Sequence, residues 1–166
     1  MKKRRIIYYI LACVVLTQID QITKVITEAK LDYEGLSIIP GVFKLYCIRN
    51  QGAAWGVLSG KISLFVVITC LIIAIVTYVI IRLPEDKKYN LLFWTLTVLV
   101  SGAIGNFIDR IRFGYVRDFL YFELIDFPVF NVADIFVTCS VIVLIILIFF
   151  VYKDEDFDFL NLKKKN

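Results

Sequence analysis

Phe130-Asn131-Val132-Ala133-Asp134, followed by an uncharged apolar run from Ile135 to Tyr152, is the stretch that decides the fold. The run is about the length a helix needs to cross a hydrocarbon core of roughly 30 Å. Asp134 therefore stands at the mouth of a membrane span, where a carboxylate is costly unless it points into a polar cavity or pairs with another group. A second carboxylate, Asp118, lies 16 residues earlier in Gly114-Tyr115-Val116-Arg117-Asp118-Phe119. In a chain without histidine, two such groups suggest a pair that shares a proton and does chemistry. Asn131 and Asp134 also have the spacing of an N-cap and a first-turn carboxylate. For that motif taken alone, a plain capped helix start is the more economical explanation.

Three further apolar segments precede this one. The first runs from Ile6 to Ile19 and continues through Asp20-Gln21-Ile22-Thr23-Lys24 to about Ile26. The second, Ile62 to Ile81, carries no charge, and the third, Leu91 to Ile108, turns small and polar at Ser101, Gly102, Gly105 and Asn106. Hydrophobic residues make up 60% of the chain, above the roughly 45–50% of soluble domains, and the mean hydropathy is +0.79. The expected fold is an all-α polytopic membrane protein with four transmembrane helices, at about 6–26, 62–81, 91–108 and 135–152. Residues 1–152 then form a single membrane-embedded domain, and 153–166 a poorly ordered tail.

Four crossings put both termini on one side, together with the short Arg82–Asn90 turn. That side carries Lys2, Lys3, Arg4, Arg5, Arg82, Lys87, Lys88, Lys153, Lys163, Lys164 and Lys165, 11 of the 19 basic residues, and is read as cytoplasmic. These clusters account for the net charge of +4 without a nucleic-acid partner. The basic start and apolar run resemble a signal peptide but lack its small-residue cleavage site, so an uncleaved first span is expected. The two long connections face outward. Gly41 to Ile48, after Pro40, is rich in β-branched and aromatic residues and reads as one or two short strands on the membrane surface. Tyr115 to Phe122 and Phe127 to Phe130 add extended backbone, giving a small β-platform on the outer face.

The missing histidine removes Ser-His-Asp and Cys-His catalysis and the HExxH zinc site together. The four cysteines show no CxxC spacing; three fall in apolar runs as small hydrophobes, and no disulfide, metal or cofactor is expected. The remaining polar residues gather on the outward side. Asn106, Asp109 and Arg110 lie at i, i+3 and i+4 on one helical face, where an ion-paired helix end is the competing reading. Asp20 and Lys24 form an i, i+4 pair. Asn50-Gln51-Gly52-Ala53-Ala54-Trp55-Gly56 permits close backbone approach to a peptide, or is a plain turn. Independent caps and ion pairs have no reason to collect at one leaflet; a shared polar cavity does.

Taken in chain order, the five blocks Asp20–Lys24, Asn50–Gly56, Gly102–Arg110, Val116–Phe119 and Phe130–Asp134 resemble the lipoprotein signal peptidase (signal peptidase II) family of bacterial intramembrane aspartic proteases, a resemblance that covers about residues 5–152. The resemblance implies a catalytic pair at Asp118 and Asp134. It implies supporting or substrate-binding roles for Asn50, Gly52, Asn106, Asp109, Arg110, Asn131, Asp20 and Lys24. It further implies a diacylglyceryl-modified prolipoprotein as substrate, cut before the lipidated cysteine, and a monomer in contact with the lipids of the bacterial cytoplasmic membrane, its active site near the outer leaflet. Two residues depart from the family pattern. Trp55 replaces a common phenylalanine, and Arg117 stands where an apolar residue is usual, placing a cation next to Asp118 in the sequence. The main rival is a small transporter or proton-conducting protein, since intramembrane carboxylates also mark ion pathways. A Ser/Lys peptidase using Ser101 or Ser140 with Lys24 lacks any linking spacing.

Overall fold

The computed structural model describes residues 2–31, 35–52 and 61–161. The four apolar runs form helices α1 (Lys2–Lys30), α2 (Ile62–Arg82), α3 (Asn90–Phe113) and α4 (Val132–Ile146), and α4 continues as a π-helical stretch, Leu147–Val151. All four are long and apolar enough to cross a membrane. In a bilayer interior each backbone N–H must find a partner within the chain, and uninterrupted helices meet that demand. α3 lies at the centre and packs against the other three. Over half of its apolar window is buried, against 6% for α2, which therefore turns its Ile, Leu and Val side chains outward.

Close approach to α3 depends on two glycines. A Cβ on Gly102 would lie 2.6 Å from the Ala133 carbonyl oxygen, and one on Gly105 would lie 2.5 Å from Asp20 Oδ2. Small residues at helix interfaces let backbones meet in this way, and here they bring α1 and the start of α4 onto one level of α3. α3 ends at Gly114, whose φ of 73° closes the helix through its N–H to the Arg110 carbonyl.

The expected platform is a three-stranded antiparallel sheet in the order β1 (Leu36–Ile39), β2 (Phe43–Asn50), β3 (Val116–Tyr121). Phe130 pairs with Leu120 beyond β3, with N···O distances of 2.8 and 3.0 Å. That pairing delivers the start of α4 to the side of β3. β1, short and exposed along its length, has no counterpart in the sequence reading. Ala53 to Gly56, including Trp55, lie outside the described residues.

At the opposite end, Ile80, Leu83, Tyr89, Leu92, Phe93, Leu96, Leu147 and Tyr152 form an apolar core. The acidic-aromatic segment, read from sequence as poorly ordered, instead folds as a 3-10 helix, Asp154–Leu160. Arg82 donates to the Phe159 carbonyl at 2.8 Å, Lys88 pairs with Asp156 at 2.6 Å, and Phe157 and Phe159 pack on Tyr152 and Tyr89. Its aromatic rings cover helix ends that would otherwise be bare, which outweighs the local charge density.

Candidate active site

The start of α4 satisfies both readings of its motif at once. Asn131 Oδ1 accepts from the Asp134 N–H at 3.0 Å, and Asp134 Oδ2 accepts from the Asn131 N–H at 3.0 Å, a capping box. Because Asn131 Oδ1 is committed to the cap, its Nδ2 must face the other way. It donates to Asp118 Oδ1 at 2.6 Å and to Asn106 Oδ1 at 3.0 Å. One asparagine thus caps the helix that carries Asp134 and bonds Asp118 directly.

Strand alternation aims Asp118 at the same point. In the β2–β3 register Ile48 faces Asp118 and Asn50 faces Val116, so these four side chains share one face of the sheet. Asn50 Nδ2 donates to Asp118 Oδ2 at 2.8 Å, its orientation fixed by the Gly52 N–H, which donates to Asn50 Oδ1 at 2.9 Å. Asn106 Nδ2 completes the set with a 2.7 Å bond to Asp134 Oδ1. Asn106 is oriented in turn by Lys24, whose Nζ donates to its Oδ1 at 2.9 Å. Each of the four oxygens of Asp118 and Asp134 accepts one amide or backbone donor, which leaves a lone pair on each for water or substrate.

Behind these amides lies a buried ion network. Lys24 pairs with Asp20 at 2.9 Å and lies 3.4 Å from Asp109, all three side chains fully buried. Asp20 Oδ1 also accepts from the Ala133 N–H at 2.9 Å, fastening α1 to the first turn of α4. Two contacts that adjacency in the sequence left open are not formed. Asp109 does not pair with Arg110: neighbouring residues on a helix point about 100° apart, and Asp109 turns towards α1 while Arg110 lies over the Phe65 ring at 4.9 Å. Nor does Arg117 stand beside the Asp118 carboxylate. Adjacent strand residues face opposite sides, and Arg117 binds Asp109 at 2.8 Å, Gln21 at 3.0 Å and Glu28 at 3.3 Å. Burial pulls its basicity down, but the bonds to Asp109 and Glu28 outweigh it and hold the guanidinium above its ordinary value.

Asn50, Gly52, Asn106, Arg110, Val116, Asp118, Phe127, Pro128, Val129, Phe130, Asp134, Ile135, Thr138 and Cys139 enclose a cavity of about 380 Å³. That volume is within the usual range of ligand sites, about 300–1,000 Å³. Of the residues singled out from sequence, Asn50, Gly52, Asn106, Arg110, Asp118 and Asp134 line it, while Asn131, Asp20, Lys24 and Asp109 lie behind its wall. Thr138 and Cys139 were missed, although the helical period counted on from Asp134 and Ile135 would have found them. Burial, followed by the negative charge of Asp134, pushes the Asp118 carboxyl up to about 7, against the opposing bonds from Asn50 and Asn131. Among the described residues no group of three His, Cys, Asp or Glu is arranged to hold a metal ion.

Four apolar helices closed at one end by a small sheet, with two carboxylates facing a common chamber, define a multi-pass membrane protein of the intramembrane-enzyme type. The Signal peptidase (SPase) II family model matches residues 11–150. The lipoprotein signal peptidase of Enterococcus faecalis is 39% identical over 147 residues, covering 86% of this chain and 88% of its own length. That of Streptococcus pyogenes serotype M5 is 37% identical over 159 residues, covering 95% and 99%. A bacterial membrane enzyme solved by the in meso method superposes with a TM-score of 0.76 at 37% identity, over 96% of this chain and 93% of that one. The chain belongs to the signal peptidase II family, as its five ordered motif blocks imply.

Proposed function

We propose that this protein is an aspartic endopeptidase that removes the signal peptide from diacylglyceryl-modified prolipoproteins, cutting before the lipidated cysteine. The single observation that carries the catalytic type is the Asn131 bridge, which caps the helix of Asp134 while donating to Asp118 at 2.6 Å. One carboxylate of the pair is ionised and takes a proton from a water, which attacks the scissile carbonyl. The other is protonated and hydrogen-bonds the carbonyl oxygen as it becomes an oxyanion. When the tetrahedral intermediate collapses, the C–N bond breaks and the leaving amine takes up a proton from the pair. The proton belongs to the pair, not to either residue. Burial that holds Asp118 near 7 supports a shared proton at neutral pH.

The enzyme works as a monomer in the bacterial cytoplasmic membrane, with both termini cytoplasmic and the cavity at the outer leaflet. Basic residues at the termini and in the Arg82–Asn90 turn support that orientation. A conducting pathway needs polar groups through the full depth of the bundle, and the apolar core at the opposite end weighs against one. The test is incubation of the purified protein with a diacylglyceryl-modified prolipoprotein and mass analysis of the products. Cleavage immediately before the modified cysteine is expected; an uncut substrate, or equal cutting of the unmodified precursor, would count against the proposal.

A further inference from the structure

At the end of the bundle farthest from the sheet, a second cavity of about 320 Å³ opens between the start of α1 and the start of α3. Arg4, Arg5, Tyr8, Asn90 and Trp94 are among its lining residues. Neither guanidinium has a carboxylate partner among the described residues. Arg4 donates to the Tyr8 hydroxyl at 3.1 Å. Arg5 donates to the Pro84 carbonyl and, at 3.3 Å, to Asn90 Oδ1, and lies over the Phe93 ring at 4.9 Å. Its partners are all neutral, so two unpaired positive charges border one opening and outnumber the single carboxylate that lines it. Glu85 also lines the cavity but pairs with neither.

A smaller crevice of about 80 Å³ shares Arg5, Glu85 and Phe93 with this cavity and is otherwise lined by Ile6, Ile80, Ile81 and Leu83. Charge and apolar wall are therefore contiguous. Trp94 is 46% exposed, as suits an aromatic ring at the headgroup level. A free anion would use the two arginines and leave the crevice idle. A phospholipid would use both, its phosphate between the guanidinium groups and the start of an acyl chain along the isoleucines.

We infer that the Arg4–Arg5 cavity is a binding site for an anionic phospholipid, its headgroup at the two arginines and its acyl chain entering the crevice against Ile80 and Ile81. The site is separate from the carboxylate cavity, and its test does not depend on the peptidase reading.

Trp94 beside the site supplies the probe. The full chain carrying W55F, so that Trp94 is the only tryptophan, is reconstituted with phosphatidylglycerol or phosphatidylcholine brominated on the acyl chain, and quenching is followed against mole fraction. Each arginine near a charged headgroup contributes roughly fivefold to anionic-lipid preference, about 25-fold for the two, and the Glu85 carboxylate takes back part of that. Half-quenching by phosphatidylglycerol is therefore expected at about a tenfold lower fraction than by phosphatidylcholine. R4Q/R5Q should bring the two lipids within about twofold, and E85Q, which removes a repelling carboxylate, should widen the gap. Should R4Q/R5Q fail to insert, E85Q decides alone. Equal quenching by both lipids, a preference that survives R4Q/R5Q, or a gap that narrows in E85Q would overturn the assignment. Displacement of the bound lipid by inorganic phosphate would reassign the cavity to a free anion and equally overturn it.

Discussion

Replacing Lys24 with methionine tests the ion network that orients the amides around Asp118 and Asp134. The ammonium is fully buried and serves Asp20 at 2.9 Å, Asp109 at 3.4 Å and Asn106 Oδ1 at 2.9 Å. Methionine fills similar space but leaves these acceptors unequally served. Asp109 keeps Arg117 at 2.8 Å and the Arg117 N–H at 3.0 Å. Asp20 keeps only neutral donors, the Ala133 N–H at 2.9 Å and Gln21 at 3.2 Å. Stranding one member of a buried ion pair costs about 3–5 kcal/mol, which in a chain of this size lowers the melting temperature by roughly 10 °C. The cost arises at Asp20, so D20N should cancel much of it. In a double-mutant cycle K24M and D20N should couple by at least about 1 kcal/mol. Thermal unfolding of the four proteins in one detergent, followed by circular dichroism, supplies the numbers. A K24M protein that melts within about 2 °C of the parent, or strictly additive single effects, would refute the reasoning.

Other outcomes follow from the same geometry. G105A drives a methyl to 2.5 Å from Asp20 Oδ2, and Asp20 is tied on both oxygens; overpacking of this kind costs about 1–3 kcal/mol, and an unchanged melting temperature would contradict the tight α1–α3 contact. Asp118 holds its proton to about 7 in the folded protein against 3.8 for a free carboxyl. Between these values the folded state binds more protons than the unfolded one, so stability falls as pH rises through about 4 to 7 and levels above it. The full swing is on the order of 4 kcal/mol; D118N should flatten the pH dependence of the melting temperature, and parallel curves for D118N and parent would refute that origin. F157S/F159S removes two rings from the tail clip and should lower the melting temperature by several degrees while turnover stays within about twofold; unchanged melting would show that the clip contributes nothing.

The spans were legible because Ile62–Ile81 and Ile135–Tyr152 contain no charge across a bilayer's depth, a pattern few other structures tolerate. β2 and β3 were legible from β-branched and aromatic runs bounded by Pro40 and Gly114. Which way Arg117 points was not read, because its partners lie on α1 and α3, at Gln21, Glu28 and Asp109. Adjacency in sequence suggested influence on Asp118, yet adjacency in a strand means opposite faces. The pairing of Asp109 followed the same pattern: Arg110 was near in sequence, but Lys24 and Arg117 were near in space. The tail was misjudged because four acidic residues at Asp154, Glu155, Asp156 and Asp158 dominate its composition. Its two phenylalanines find a surface only once Tyr89 and Tyr152 have been brought together by folding.

The central claim is that Asp118 and Asp134 act as one acid–base pair, and single Asp→Asn changes test it most directly. Asparagine keeps the shape of each side chain but neither ionises nor gives up a proton. D118N and D134N, each purified and shown to be folded, are assayed for cleavage of a diacylglyceryl-modified prolipoprotein. Turnover at least about a hundredfold below the parent in both variants is the predicted result, since general acid–base catalysis is worth about that much or more. Parent-like turnover in either folded variant would contradict it.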